Sequence, residues 1–533
     1  MVLLLKDAAM GEFARAGYSV PGFVRGDMRT RSEAEPIWLH IGAGNLFRSF
    51  HARIAQTLLD RGLSRTGIHL LDTRDPARVA RFHEIDDLFV DVVMKTDGTI
   101  HPTVVGSIAR SLHVASPLSE DWTETRRIAA APSLQLITLA VTEKAYAVNA
   151  VTADPAEAAS AMELLTALLL ARFRTGAAPI AVVSTDNFAG NGDRVAGAVR
   201  AIADAWLAAN VAERAFIDYL DDERRVAFPS TMIDRITPMP DPAVASKLAE
   251  RFDLGDARIR DRPGGTPLAD FSNTEEFNLL VIEDDFPNGR PPFEAAGVLL
   301  ADRETVDRVE KMKVGACLNP LHTAMAVFGC LLGYTSISAE ARDPDIASMI
   351  RRLAEDEALP AVDPPGIIDP QVFLDDVLER RLINPGLPDT PQRIATDTSH
   401  KLEARFGHTI HFAARSGADG RLRYVPLVIA AWIRYLLGID DEGRAFVVSP
   451  DPSLERLRDR LSDVRWDRPA TLGDAARSIL AERDIFGTDL SSSALADTVE
   501  TQLRSLLAGP GAVRATLHRA VASAPLNHEG VPA

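Results

Sequence analysis

The stretch Glu310-Lys311-Met312-Lys313-Val314-Gly315-Ala316-Cys317-Leu318-Asn319-Pro320-Leu321-His322 gathers a lysine, an amide, an imidazole and a carboxylate within thirteen residues. Reading residues 303–317 as a helix puts positions 306, 309, 310, 313 and 317 on one face. Val306, Val309 and Cys317 make that face apolar, and Arg308 and Lys311 lie on the solvent side. Lys313 is then a lysine on a buried stripe, with Glu310 one turn before it. Burial disfavours an ammonium and draws its pKa from about 10.4 towards neutrality. A lysine acting as general base near pH 7 needs that shift. The competing reading is a lysine whose stem covers apolar surface while its amine reaches water. Asn319-Pro320 marks a helix junction, because proline disfavours helical geometry in the residue before it and suits a first helical position. The second helix starts at 320 and carries His322. The plain alternatives are an N-cap for Asn319 and a satisfied core histidine for His322.

A second chemical motif lies near the start. Ile37-Trp38-Leu39-His40-Ile41 runs into Gly42-Ala43-Gly44-Asn45-Leu46-Phe47-Arg48. Two glycines after a buried strand let the backbone turn sharply and approach a pyrophosphate, with the amides of the next helix facing the anion. The third glycine of the dinucleotide fingerprint is absent, with Phe47 in its place. A second apolar run ends in Asp72, where a carboxylate can accept both ribose hydroxyls of an adenosine. That acid favours NAD over NADP, and the nearby Arg74 leaves NADP open. The plain readings are a tight turn for the glycines and a strand-end turn residue for Asp72.

These motifs need a scaffold. At 533 residues the chain calls for two or three domains. Strand candidates at 37–41, 67–72, 88–94, 103–107, 134–141 and 179–184 are interspersed with helical patterns, among them one at 155–174. This alternation predicts a parallel sheet with helices on both faces. Residues 1–34 read as an arm docked on that domain. Gly289-Arg290-Pro291-Pro292 is a plausible boundary, and from 303 to 523 the chain reads as helices separated by Pro- and Gly-rich turns. The expected division is 1–290 and 291–533, with a loose end over the last ten residues.

Charge and composition exclude whole classes. Lys plus Arg is 58 against 75 for Asp plus Glu, a net −17, which opposes binding to nucleic-acid backbones. Two cysteines, Cys317 and Cys330, support neither a disulfide framework nor a Cys-based zinc cluster. The N-terminal apolar run stops after five residues, and no charge-free run of about 18 apolar residues is evident. The expectation is a cytoplasmic protein with no membrane span.

Taken together, the motifs resemble the mannitol dehydrogenase and fructuronate reductase family, the polyol-specific long-chain dehydrogenases. The resemblance rests on segments in the family's order across most of the chain. They are residues 40–48, Val141-Thr142-Glu143-Lys144, Ser184-Thr185-Asp186-Asn187 with Asn191-Gly192, and residues 228–238. They continue with residues 281–286, Asn288-Gly289-Arg290-Pro291, residues 313–322, and Arg393-Ile394-Ala395-Thr396-Asp397 with Ser399 and Lys401.

The resemblance implies an α/β Rossmann-type N-terminal domain, a mainly α-helical C-terminal domain, and an active site in the cleft between them. It implies NAD or NADP, no catalytic metal, a small polyol or sugar-acid substrate, and a monomer. By motif, Lys313 matches the general base, and Asn187 and Asn319 match the amides that hold the developing alkoxide. His322 matches a residue bonding the reacting oxygen or its neighbour, and Glu310 an acid gating the proton path. Asp234, Arg393 and Lys401 match substrate-site positions; Gly42, Gly44, Asn45, Leu46, Arg48 and Asp72 would serve the cofactor.

The sequence departs from the family where the lysine usually lies five residues before the asparagine; here the separation is six. On a rigid helix one extra residue turns the lysine by about 100°. A one-residue bulge or the break before Pro320 would absorb it; otherwise Lys311, or no lysine, serves. Asn319-Pro320-Leu321-His322 replaces the usual Asn-Gly-Ser-His, and Phe47 a common histidine. Asn288-Gly289-Arg290-Pro291 and Trp432-Ile433-Arg434-Tyr435 look closer to fructuronate reductases, which favours D-mannonate and D-fructuronate over D-mannitol and D-fructose. A nucleotide-binding sensor without redox chemistry is the rival from another class.

Overall fold

The computed structural model describes residues 3–148, 150–262 and 266–522. The last ten residues, expected to be loose, lie outside the described residues. The chain forms two compact units, Met1–Asp307 and Arg308–Ala533.

The first unit is built on a six-stranded sheet, all parallel, of Trp38–Ile41, Ile68–Asp72, Ile108–His113, Leu136–Leu139, Ile180–Ser184 and Val226–Ala227. Numbered along the chain within this sheet, the spatial order is 3-2-1-4-5-6, the doubly wound dinucleotide-binding order. The first strand is buried at every position, which explains its near-continuous apolar character. Leu39 and Ile41 pack into one core with helices Ala161–Arg174 and Asn191–Ala208. Trp38 packs into the other, with Phe47, Ile54 and Leu58. Ile41 is in register with both Leu71 and Leu139, so the chain leaves the first strand where strand order reverses.

The alternation pattern overreached at two places. Strand candidates 88–94 and 103–107 do not join the parallel sheet. Phe89–Met94 and Ile100–Val105 form an antiparallel pair, and Phe271–Glu275 adds alongside the former. A turn at Thr96–Gly98 is too short for a helical crossover, so the pair is a hairpin. The helix predicted from 155 starts at Ala161, because the Ser160 hydroxyl and the Glu163 carboxylate form a capping box there. A third sheet joins Thr231–Asp234, Leu279–Glu283 and Leu299–Ala301. The N-terminal segment is tied to this unit through a Leu3–Leu254 bridge and the Arg25 guanidinium on the Gly106 carbonyl at 2.8 Å.

The second unit is helical. Helix Tyr424–Tyr435 is buried along its whole length. Its first amides meet the Glu357 carboxylate, which accepts from Tyr424 and Val425 at 2.8 Å each. Burial holds Glu357 up at about 7 against those bonds. The helical stretch Arg303–Leu331 is long and apolar enough by composition to cross a membrane, but 83% of the qualifying window is buried within the protein.

Candidate active site

In the first unit the glycine turn has a geometric cause. Gly42 sits at φ +112°, and a Cβ there would lie 2.3 Å from the Ala140 carbonyl oxygen. The two strand ends at the crossover approach too closely for any side chain. A Cβ on Gly44 would meet nothing within 4 Å. The protein itself does not demand glycine there, and the open space fits a pyrophosphate brought against the backbone. The first helical amides after it have no partners within the helix, so the turn fits a dinucleotide.

Phe47, in place of the third glycine, is fully buried and stacks on His40 with centroids 4.6 Å apart. The helix widens into a π turn at Phe47–His51. Glycine there would serve close packing of helix on strand; here an aromatic ring fills a wider gap. Leu46 packs against the same core.

Asn45 and Arg48 turn their side chains into the protein. Asn45 donates to the Pro238 carbonyl at 3.0 Å and accepts from Arg48 at 2.6 Å. Arg48 donates to the Ala269 and Phe271 carbonyls, and burial pushes its pKa down to about 9. These two side chains brace the turn from beneath. Asp72 is buried; its Oδ1 accepts the amides of Arg74 and Asp75, both at 2.7 Å. Its second oxygen makes no hydrogen bond among the described residues, and Arg74 is exposed. Asn187 is exposed in the loop after strand Ile180–Ser184, and Asp234 is buried at the end of Thr231–Asp234.

In the second unit Lys313 is only 2% exposed, whereas Lys311 is exposed. Val306, Val309 and Cys317 are buried on its face, and Glu310 is half-buried one turn earlier. An amine reaching out to bulk water is therefore not what the structure shows. The helix does not run regularly to 317: Lys313–Cys317 is a π turn, closed by the Leu318 amide on the Lys313 carbonyl at 3.1 Å. A π turn inserts one residue with little change in the phase of the flanking helix. The six-residue spacing to Asn319 is absorbed there.

Asn319 is not an N-cap. The cap position falls on Leu318, Asn319 is the first residue of helix Asn319–Leu331, and no side chain caps that end. The π turn carries helical geometry up to Cys317, so the break falls on the next residue. His322 is half-buried on that helix, its amide bonded to the Leu318 carbonyl at 3.0 Å.

Arg393, on the short helix Pro391–Ile394, is exposed and pairs with Asp389, with Nε–Oδ1 at 2.6 Å. That bond raises its pKa. The Lys401 amine donates to the carbonyls of Ile394 and Thr396. Burial, then Arg405, lowers its pKa. Arg393 and Lys401 are thus brought together, and the π turn Glu403–Gly407 that follows packs on the Lys313 turn.

Sequence reasoning missed Asp389, although acid and base four residues apart on a turn were a usable signal. It missed Tyr146 and Asp186, which meet across forty residues with no local signal. No group of three His, Cys, Asp or Glu among the described residues could hold a metal ion. Two cavities in the first unit, about 370 and 540 Å³, are lined by none of the predicted site residues.

The family models described as Mannitol dehydrogenase Rossmann domain and Mannitol dehydrogenase C-terminal domain match residues 36–295 and 305–507. The chain is 40% identical to the D-mannonate oxidoreductase of Thermotoga maritima, covering 97% of this chain and 98% of that one. It is 31% identical to the mannitol 2-dehydrogenase of Phaeosphaeria nodorum, over 85% of this chain and 76% of that one. The solved ternary complex of Pseudomonas fluorescens mannitol 2-dehydrogenase with NAD and D-mannitol is 26% identical, with a TM-score of 0.73 over 97% of this chain and 99% of that one. The doubly wound sheet, the helical second unit and these full-length matches agree: this chain belongs to the mannitol dehydrogenase family of oxidoreductases.

Proposed function

We propose that the protein interconverts D-mannonate and D-fructuronate with NAD. The observation that carries this reading is the 40% identity to a D-mannonate oxidoreductase along nearly the whole of both chains. Lys313, buried on its π turn, takes the proton from the hydroxyl as the carbon loses its hydride. The amides of Asn187 and Asn319 donate to the same oxygen and favour its alkoxide-like transition state. His322 bonds that oxygen or its neighbour, and Glu310 passes the proton from the lysine to water. Asp234, Arg393 and Lys401 bind the remaining substrate groups. The nicotinamide, when bound, supplies the hydride chemistry. Gly42 and Gly44 admit the pyrophosphate, Leu46 and the helix start face it, and the second oxygen of Asp72 takes a ribose hydroxyl, which supports NAD.

The π turn removes the main support for a non-catalytic sensor, the altered lysine spacing. D-mannitol oxidation is the second reading, supported by the mannitol 2-dehydrogenase relatives. The test is NADH absorbance with D-mannonate and D-mannitol, each with NAD and NADP. A kcat/KM for D-mannitol above that for D-mannonate would transfer the assignment. A monomer is the state carried over from the resemblance, and the cytoplasm is the location expected from the cysteine count and the short N-terminal apolar run; light scattering on the eluting protein checks the monomer.

A further inference from the structure

The loop carrying Asn187 is tied down by side chains remote in sequence. Thr185 donates to the Leu139 carbonyl at 3.1 Å, with His51 Nε2 2.9 Å from the same hydroxyl. The Asp186 carbonyl accepts from Asn191 at 2.9 Å, and Asn191 in turn accepts the Thr231 amide at 3.0 Å. The Asp186 carboxylate, 7% exposed, accepts the Val141 amide at 3.1 Å and the Tyr146 phenol on the same oxygen. That phenol also lies 2.8 Å from Ser184 Oγ. Residues 141–144, 184–187 with 191–192, and 228–238, the segments that carry the family resemblance, therefore interlock through Asp186 and Asn191.

We propose that Tyr146 and Asp186 are positioning residues, a clasp that aims the Asn187 amide at the reacting oxygen and is closed when Asp186 is ionised. The inference rests on the reading of Asn187 given above. An ionised carboxylate accepts both bonds; once protonated it loses acceptor strength, and the loop loosens. A misplacement of about 1 Å costs on the order of 100-fold in rate. Burial raises Asp186 to about 6, opposed by the Tyr146 and Val141 bonds. The charged groups packed against the clasp are Arg194, which faces Tyr146 and stacks on Phe188, and Glu143, the partner of Arg194.

The test is ketone reduction with NADH, using D-fructuronate and D-fructose between pH 5 and 8. In that direction the lysine serves in its protonated form and imposes no acid limb. Wild-type kcat should fall below about pH 6. Tyr146→Phe removes a bond to a charged group, so the limb should move up by about 1–2 pH units, with KM for NADH held. Asp186→Asn should abolish the limb and lower kcat about 10- to 100-fold. An unmoved limb in Tyr146→Phe, or a surviving limb in Asp186→Asn, overturns the proposal. If the wild type reduces neither ketone, the functional reading fails. The clasp is then decided by infrared titration: a carboxyl band absent from Asp186→Asn should titrate near pH 6 and shift upward in Tyr146→Phe. Its failure to shift overturns the clasp even in a protein fully active on D-fructuronate.

Discussion

Deleting Gly315 separates two accounts of the lysine. If the π turn Lys313–Cys317 carries the extra residue, removing one residue from it leaves an ordinary α-helical turn. The Leu318 amide keeps its bond to the Lys313 carbonyl, now across four residues instead of five. Lys313 then keeps its direction relative to Asn319, and the spacing returns to five. If instead the phase of the helix depended on all six residues, the deletion would turn Lys313 by about 100°. On a Cα radius of about 2.3 Å that is a shift of about 3.5 Å at the backbone, and more at the amine. Since about 1 Å of misplacement costs on the order of 100-fold, the outcomes are far apart. We expect kcat/KM for D-mannonate, followed at the NADH band, to stay within about tenfold of wild type. Inserting an alanine after Gly315 should lower it by at least about 100-fold. A deletion variant with wild-type circular dichroism and NADH binding, but more than about 100-fold less active, would refute the reasoning.

Three further outcomes follow from particular residues. Lys313→Ala should lose about 100- to 10,000-fold in kcat while still quenching its tryptophans on binding NADH; near-normal turnover would reassign the base. Gly42→Ala puts a Cβ 2.3 Å from the Ala140 carbonyl at φ +112°, so it should cost more than about 2 kcal/mol in urea unfolding and weaken NADH binding. Glu340 is fully buried, neither carboxylate oxygen is hydrogen-bonded among the described residues, and burial raises it to about 9. The folded form then holds its proton up to about pH 9, while the unfolded chain releases it near 4.3. Between those values the fold binds more protons, so stability falls as pH rises, by up to about 1.4 kcal/mol per unit. Glu340→Gln should remove this contribution and melt on the order of 10 °C higher than wild type at pH 8; parallel pH profiles of Tm would refute it.

The legible parts of this protein were those fixed by local spacing. Apolar runs buried on both faces marked the sheet strands Trp38–Ile41, Ile68–Asp72, Leu136–Leu139 and Ile180–Ser184, and the glycine pair after the first of them marked the crossover; the edge strand Ile108–His113, broken by the exposed Arg110, went unmarked. The stripe of Val306, Val309 and Cys317 placed Lys313 inside. Where the period carried no record of partners, the sequence was silent: it could not tell the hairpin Phe89–Val105 from a pair of crossover strands. It could not say that Arg48 turns inward to two carbonyls.

By itself the sequence determined which side chains are candidates for the chemistry, because residue type and order survive any packing. It also determined that a lysine lies on an apolar face, because periodicity is a local property. Only the tertiary structure decided that the surplus residue becomes a π turn, that Leu318 rather than Asn319 ends it, and that Tyr146 meets Asp186. The first two depend on how a helix yields when both its ends are fixed by packing. The last depends on which strand ends adjoin, and hydrogen bonds between segments forty residues apart leave no periodic trace along the chain.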